Sequence, residues 1–333
     1  MAKIAVIGAG SWGTTFAKVL VDAGNEVMLW SRREELTEEI NNTHRNGDYI
    51  PGINLPKELV ASSDIKEVLS LASQVYIAVP SQSLRANLED WGKLIEPDAI
   101  IVSLMKGVEQ GSGLRMSEVI IEVLGFDPDQ VCVVSGPNLS LEIASEQPAA
   151  CVAACTSKEN AQKVASASTN PYFTTFTNKD VIGTEFGGIL KNLIAVAIGI
   201  VNGVGYGQNT KASIMTRGLA EISRFAVAFG AKKKTMVGLA GLGDLIATSE
   251  SPLSRNHKAG EMLGKGYSKR EVLKRLSQTA EGLSSVAPVL RLAAAKGVAM
   301  PIVEQVQLVI EGKMSPKDIG PSLTRGNDSP EAE

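Results

Sequence analysis

The sequence predicts an α/β protein, with a mostly parallel sheet and crossover helices in its first half and an all-α second half. Three observations carry this. Short Val/Ile-rich runs alternate with helix-like stretches from Lys3 to about Asn178, a glycine-rich turn follows the first run and opens a helical pattern, and after about Val181 long Ala/Leu/Ile-rich segments replace the β-branched runs. Alternation of this kind builds parallel sheets, because a parallel pairing requires a crossover that a helix supplies.

The strands are expected at 4–7, 26–30, 74–79, 99–104, 131–134 and 150–154. Turn chemistry bounds them: Gly24-Asn25 before the second, Pro80 after the third and Gly136-Pro137 after the fifth. A first helix is expected over 14–23. In the second half, 187–201, 210–229 and 284–296 carry apolar residues at helical spacing. No period of 20–50 residues recurs, which excludes a repeat architecture. The stretch 326–333 is polar and acidic without an apolar face, and reads as a frayed tail.

A chain of 333 residues is long for one core and suits two domains. Hydrophobic residues at 44% and charged residues at 21% are ordinary globular usage, which excludes general disorder. A net charge of -3, without a basic face or runs of stacking aromatics, argues against nucleic acid as a partner. Cys132, Cys151 and Cys155 form no CxxC pair and read as reduced core residues of a cytoplasmic protein. The N-terminus runs into a strand without a signal-like leader, so export is not expected. The longest apolar stretch, 193–201, is short of the roughly 20 residues of a bilayer span. It reads as a buried helix, and no stable membrane insertion is expected. Neither His44 nor His257 has a ligand-spaced partner, so no metal is expected. A homodimer is the default assembly.

The glycine turn is Gly8-Ala9-Gly10-Ser11-Trp12-Gly13. A bare GxGxxG is weak, but this one lies between a strand and a helix, with a second strand beyond, which is the dinucleotide-binding context of a Rossmann domain. Gly8 permits the tight turn, Gly10 lets the backbone approach a pyrophosphate, and Gly13 allows close helix–strand packing, while free N–H groups at the helix start hold the anion. The second strand ends in Trp30-Ser31-Arg32-Arg33, without the usual carboxylate for a ribose hydroxyl. Guanidinium forks at Arg32 and Arg33 suit a 2′-phosphate, which favours NADPH with NADH possible. The competing reading makes both arginines surface charges and Glu34 the ribose ligand.

Loops at the carboxyl ends of parallel strands face the cofactor crevice. The loop after the fourth predicted strand carries Lys106, whose ammonium suits a carbonyl or phosphate oxygen; the loop after the fifth reads Ser135-Gly136-Pro137-Asn138. In the helical half, Lys191 interrupts an apolar run, and burying it is costly unless it is paired. Asp244 or Glu185 could pair with it; otherwise it snorkels to water. Ser254-Arg255-Asn256 offers a hydroxyl, a guanidinium and an amide suited to phosphate, or alternatively a helix start capped by Ser254.

Taken in order, these blocks resemble the bacterial NAD(P)-dependent glycerol-3-phosphate dehydrogenase family over roughly residues 4–320. The residues carrying the resemblance are Gly8 to Thr14, Lys106-Gly107-Val108-Glu109, Ser135-Gly136-Pro137, Glu185 to Asn192, Gly238 to Leu245 and Ser251 to Asn256. The resemblance implies reversible reduction of dihydroxyacetone phosphate to sn-glycerol 3-phosphate for glycerophospholipid synthesis, on a Rossmann domain (1–180) joined to a helical substrate domain (181–325). It implies that Gly8, Gly10, Ser11, Trp12, Gly13, Arg32 and Arg33 contact the dinucleotide, with Ser140, Arg255, Thr279 and Glu281 as further cofactor positions. It also implies that Lys106 touches both cofactor and substrate, and that Gly136, Asn138, Asp244, Ser254, Arg255 and Asn256 line the substrate site with Lys191. Lys191 is the implied proton donor, with Lys106 and Asp244 beside it in catalysis. Departures are Asn138 where the family commonly has Ser or Thr, Tyr206-Gly207-Gln208, and the Thr-Ala before Glu281. The rival readings are another reductase or hydroxy-acid dehydrogenase of the same architecture, and a non-catalytic NADPH sensor, which would not need Lys191 or the 254–256 group.

Overall fold

The computed structural model describes residues 3–252, 254–276 and 280–324; the expected tail at 326–333 lies outside the described residues. These residues divide into two compact units, Met1–Glu185 and Phe186–Glu333.

The first unit holds one sheet: β1 (Lys3–Ile7), β2 (Glu26–Trp30), β3 (Val60–Ser62), β4 (Gln74–Ile77), β5 (Ile100–Ser103), β6 (Val131–Ser135), β7 (Ala149–Ala154) and β8 (Phe173–Asn178), in spatial order 3-2-1-4-5-6-7-8. β3 to β6 pair in parallel through β2-β1-β4-β5, which is the doubly wound order 3-2-1-4-5-6. β7 runs antiparallel to β6, and β8 parallel to β7. All six expected strands are present with ends within two residues. β3 and β8 were not anticipated. Three residues carry no readable period, and Thr174, Phe176 and Thr177 of β8 are exposed, so its apolar signal is thin.

The helices of this unit are α1 (Ser11–Asp22), α2 (Glu34–Thr43), α3 (Ile65–Leu69), α4 (Leu84–Trp91), α5 (Met116–Leu124), α6 (Ser140–Ala144) and α7 (Lys158–Ser168). They cover both faces of the sheet, which is why the central strands read as unbroken apolar runs. Along β1, Ile4 and Val6 enter one core cluster with Phe16, Leu20 and Tyr76, while Ala5 and Ile7 enter the other with Val75, Leu88 and Trp91. All three cysteines are buried and unbridged.

The second unit is helical, as expected. α8 (Val181–Val204) runs into it from the first, followed by α9 (Gln208–Ala228), α10 (Lys233–Met236), α11 (Asp244–Glu250), α12 (Arg255–Gly264), α13 (Lys269–Arg275), α14 (Glu281–Ala295), α15 (Pro301–Ile310) and α16 (Pro316–Thr324). α8 is longer than its apolar stretch suggests and is long and apolar enough to cross a membrane, but 83% of its most apolar window is buried inside the protein, so it is a core helix. It packs closely on α12. A Cβ at Gly199 would lie 2.2 Å from the His257 carbonyl oxygen, and one at Gly203 2.2 Å from that of Glu261.

Glu221 of α9 is 1% exposed, and its carboxylate accepts the Ile302 and Val303 N–H groups at 2.9 and 3.1 Å, capping the start of α15. Burial pushes its carboxyl up to about 7, outweighing the two amides that oppose the rise. Because the folded value lies above the unfolded one, the folded state holds the extra proton between the two. This contribution is therefore full at acid pH and is lost as pH rises through about 7. Urea denaturation is expected to show stability falling between about pH 5 and 8 by up to about 3 kcal/mol from this group. Glu221→Gln should flatten that slope; an unchanged slope would show that Glu221 does not carry it.

Candidate functional site

The turn after β1 is built for close approach. Gly8 has φ 114°, its N–H donates to the Trp30 carbonyl at 3.1 Å, and a Cβ there would meet the Ala78 carbonyl oxygen at 2.7 Å. A Cβ at Gly13 would meet the Gly8 carbonyl oxygen at 1.9 Å, whereas at Gly10 nothing lies within 4 Å. α1 therefore starts beside open space, with no side-chain cap and no acid in its first turn. Its uncapped N–H groups and dipole favour an anion there. Trp12 packs edge-on against Phe16 at 5.2 Å, and its buried Nε1 has no partner among the described residues. These residues fit a dinucleotide pyrophosphate.

Ser11 is otherwise engaged, since its hydroxyl donates to the Tyr49 carbonyl at 2.9 Å. Fully buried Asn46 donates to the Ala9 carbonyl at 3.0 Å and to the Thr14 hydroxyl at 2.8 Å, bracing the turn from the segment after α2. Beyond β2, Arg32 and Arg33 are both exposed. Arg33 pairs with Asp48 at 2.8 Å and lies over the Tyr49 ring at 5.5 Å, while among the described residues Arg32 carries no ion pair. Glu34 is the exposed first residue of α2.

The sheet register sets the next two loops level. Ser103 of β5 pairs with Val133 of β6, so Lys106 and Gly136 leave their strands at matching heights, and Lys106 Nζ donates to the Gly136 carbonyl at 3.1 Å. Asn138 follows, with both side-chain polar atoms buried and without a partner among the described residues. Two orphaned amide atoms, two residues beyond the carbonyl that holds the Lys106 ammonium, are what a bound polar molecule would satisfy. Ser140 opens α6, and its carbonyl accepts from Thr15 of α1 at 3.3 Å.

In the second unit Lys191 is 7% exposed, and its ammonium donates to Asp244 at 2.7 Å and to the Thr248 hydroxyl. Thr248 also donates to Asp244 at 3.2 Å. The snorkelling alternative therefore gives way to a buried, paired ammonium. Of the two carboxylates weighed, Asp244 takes the role. Glu185 is 2% exposed and accepts instead from Arg115, the Ser117 hydroxyl and, at 2.9 Å, the Ser117 N–H. Asp244 is delivered by the tight Leu239–Gly243 turn, in which a Cβ at Gly241 would strike the Met236 carbonyl oxygen at 2.1 Å.

Ser254 accepts the His257 N–H at 3.2 Å, so its hydroxyl caps α12, as the second reading of that segment had it. Asn256 donates to Asn192 at 2.8 Å and accepts from Gly282 N–H at 2.9 Å, which fixes the start of α14, where Glu281 lies, beside α12. Arg255 is exposed. Thr279 lies outside the described residues. Among the described residues, no three His, Cys, Asp or Glu side chains converge.

Two family models cover nearly the whole chain: the NAD-dependent glycerol-3-phosphate dehydrogenase N-terminus over residues 3–161 and its C-terminus over 180–320. The chain belongs to the NAD-dependent glycerol-3-phosphate dehydrogenase family. A glycerol-3-phosphate dehydrogenase (NAD(P)+) of Leifsonia xyli subsp. xyli is 60% identical over 328 residues, covering 98% of this chain and 89% of the relative. One from Thermobifida fusca is 51% identical, covering 96% and 95%. A crystal structure of glycerol-3-phosphate dehydrogenase from Coxiella burnetii superposes with a TM-score of 0.90 at 35% identity, covering 97% and 98%.

Within this glycerol-3-phosphate dehydrogenase family member, sequence reasoning missed Thr248, Asn192, Asn46 and the Asp48–Tyr49 pair beside Arg33. Thr248 had a signal, since it stands four residues beyond Asp244 and so on the same helix face. Asn192 stands next to Lys191, but its partner Asn256 is 64 residues away. Asn46 and Asp48 lie in a loop without periodicity, where nothing in the sequence marks contact with the glycine turn.

Proposed function

We propose that this chain catalyses the reversible NAD(P)H-dependent reduction of dihydroxyacetone phosphate to sn-glycerol 3-phosphate, supplying the backbone of glycerophospholipids. The observation that carries this is the buried Lys191–Asp244–Thr248 group, an ammonium fixed at 2.7 Å from a carboxylate inside an apolar helix bundle. When bound, the nicotinamide cofactor supplies a hydride to the ketone carbon. Charge then builds on the ketone oxygen, and the Lys191 ammonium stabilises it and donates the proton, while Asp244 and Thr248 hold Nζ in place. Lys106 and Asn138 supply donors for substrate oxygens, and Gly136 orients Lys106 through its carbonyl. Arg255, the remaining Asn256 amide hydrogen and the backbone at Ser254 anchor the phosphate, so remote binding energy orients the ketone.

The dinucleotide sits on Gly8, Gly10, Ser11, Trp12 and Gly13, in a domain taken as 1–180, with Ser140, Arg255, Thr279 and Glu281 as further cofactor contacts. The helical residues 181–325 form the substrate domain. The protein works in the cytoplasm as a homodimer, with neither nucleic acid nor membrane as a partner.

NADPH oxidation with dihydroxyacetone phosphate against unphosphorylated dihydroxyacetone tests the reaction and its phosphate requirement together; equal rates would exclude this reading. A carboxylate-specific relative of the same architecture would instead turn over 2-keto acids. Arg32→Ala with Arg33→Ala is expected to raise the KM for NADPH at least about tenfold and that for NADH far less, through loss of fork donors on the 2′-phosphate. Matching, unchanged values for both cofactors would contradict the NADPH assignment. Arg255→Ala should raise the substrate KM by about 10–100-fold with a smaller change in kcat, the range expected for a lost charge-assisted contact. A loss confined to kcat would move Arg255 out of the anchoring role.

A further inference from the structure

A cavity of about 290 Å³ lies wholly within the second unit, against α8, α9, α11 and α12. Asn202 lines it, about 16 Å along α8 from Lys191 at the helical rise, and none of the substrate residues above is among its lining residues. Its wall is charged and unsatisfied. Ser249 is 0% exposed, yet among the described residues its hydroxyl has no hydrogen-bond partner, and neither has the buried Nδ1 of His257. Lys211 and Lys258 also line it, and among the described residues neither carries an ion pair. Glu261 is held by Lys265, whose hydrogen bond, with weaker attraction from His257 and Lys211, keeps its carboxyl below the usual range, and among the described residues Glu250 carries no ion pair.

An orphaned buried polar group is costly unless something satisfies it. Two ammonium groups without a close ion pair among the described residues match a dianion, and the hydroxyl of Ser249 and the imidazole of His257 can hydrogen-bond its oxygens. The Glu250 carboxylate would repel a bare anion and accept a hydroxyl of a ligand that has one. The volume is at the small end of ligand cavities and far too small for a dinucleotide. We propose that this cavity is a second, regulatory site that takes a small hydroxylated phosphate monoester. Its occupant is coupled to turnover by chain continuity: Ser249 follows Thr248, which holds Lys191, and His257 follows Asn256, which is bonded to Asn192. Binding there shifts the α11–α12 corner and modulates turnover without competing for the substrate residues.

The test is calorimetric titration of the full-length protein with glycerol 2-phosphate and with inorganic phosphate. In an Arg255→Ala background, which weakens the proposed substrate anchor, one saturable site for glycerol 2-phosphate should remain. Adding Lys211→Ala and Lys258→Ala should weaken it at least tenfold, and Ser249→Ala should weaken it less. In the otherwise unaltered protein, Lys211→Ala with Lys258→Ala should leave kcat and KM within twofold and remove the noncompetitive part of inhibition by glycerol 2-phosphate. Titrations that the lysine substitutions do not change overturn the site. Equal affinity for inorganic phosphate overturns the hydroxylated-ester assignment. Turnover of dihydroxyacetone phosphate by the unaltered protein is read separately, so failure of this site and failure of the dehydrogenase reading are distinguishable.

Discussion

Lys191→Ala is expected to lower kcat for dihydroxyacetone phosphate reduction by about 10²–10⁴-fold, the range for loss of a positioned proton donor, with a smaller change in substrate KM. The geometry sets both the size and the complication of this result. The ammonium is buried, with Asp244 1% exposed at 2.7 Å and Thr248 bound to both groups. Removing the lysine strands a buried carboxylate, which by itself destabilises by about 3–5 kcal/mol. A lost rate could then be a lost fold. Lys191→Ala combined with Asp244→Asn removes the stranded charge, so its melting temperature should recover towards that of the unaltered protein while kcat stays low. Small primary amines in solution should restore part of the rate in the Ala variant, which a purely structural lysine would not allow. Near-normal turnover in either variant, or restored stability bringing full activity with it, would remove Lys191 from the reaction.

What the sequence made legible follows from how local each feature is. The β1–turn–α1 unit was readable because every residue that defines it lies within about twenty positions, and Gly8, Gly10 and Gly13 act through their own backbones. The central strands were readable because burial on both faces leaves unbroken apolar runs. β3 and β8 lie at the two ends of the sheet, where one is too short and the other too polar to signal. The antiparallel turn of β7 on β6 follows a connection that carries only the five-residue α6, and no pattern in the sequence marks the reversal. At the site, Lys191 announced itself as a charge in an apolar run, but the choice between Asp244 and Glu185 depends on how separate helices pack, and no periodicity encodes that. Arg115 and Ser117 decide it by taking Glu185. Ser254 was ambiguous for a chemical reason, since one hydroxyl suits a phosphate and a helix cap equally, and the cap is what it forms.

The glycine turn offers the second large effect, and two of its glycines should fail in different ways. At Gly13 a methyl group would sit 1.9 Å from the Gly8 carbonyl oxygen and 3.1 Å from the Ala78 side chain. Gly8 cannot retreat, because it is held at φ 114° against the Ala78 carbonyl. Gly13→Ala must therefore push α1 off β1, destabilising the protein by about 1–3 kcal/mol as an overpacked contact and displacing the N–H groups that face the pyrophosphate. At Gly10 the backbone has φ -73° and ψ -179°, which alanine adopts freely, and nothing lies within 4 Å. Gly10→Ala should thus leave the melting temperature unchanged and still weaken dinucleotide binding at least about tenfold, about 1.4 kcal/mol, because its methyl group occupies the space the pyrophosphate needs. Fluorescence titration with NADPH and thermal melts of both variants separate the two effects. Unchanged affinity in Gly10→Ala would place the pyrophosphate elsewhere, and an unchanged melting temperature in Gly13→Ala would mean that α1 can slide without cost. The same turn therefore carries two constraints, one of packing at Gly13 and one of ligand approach at Gly10, and only the second depends on the cofactor.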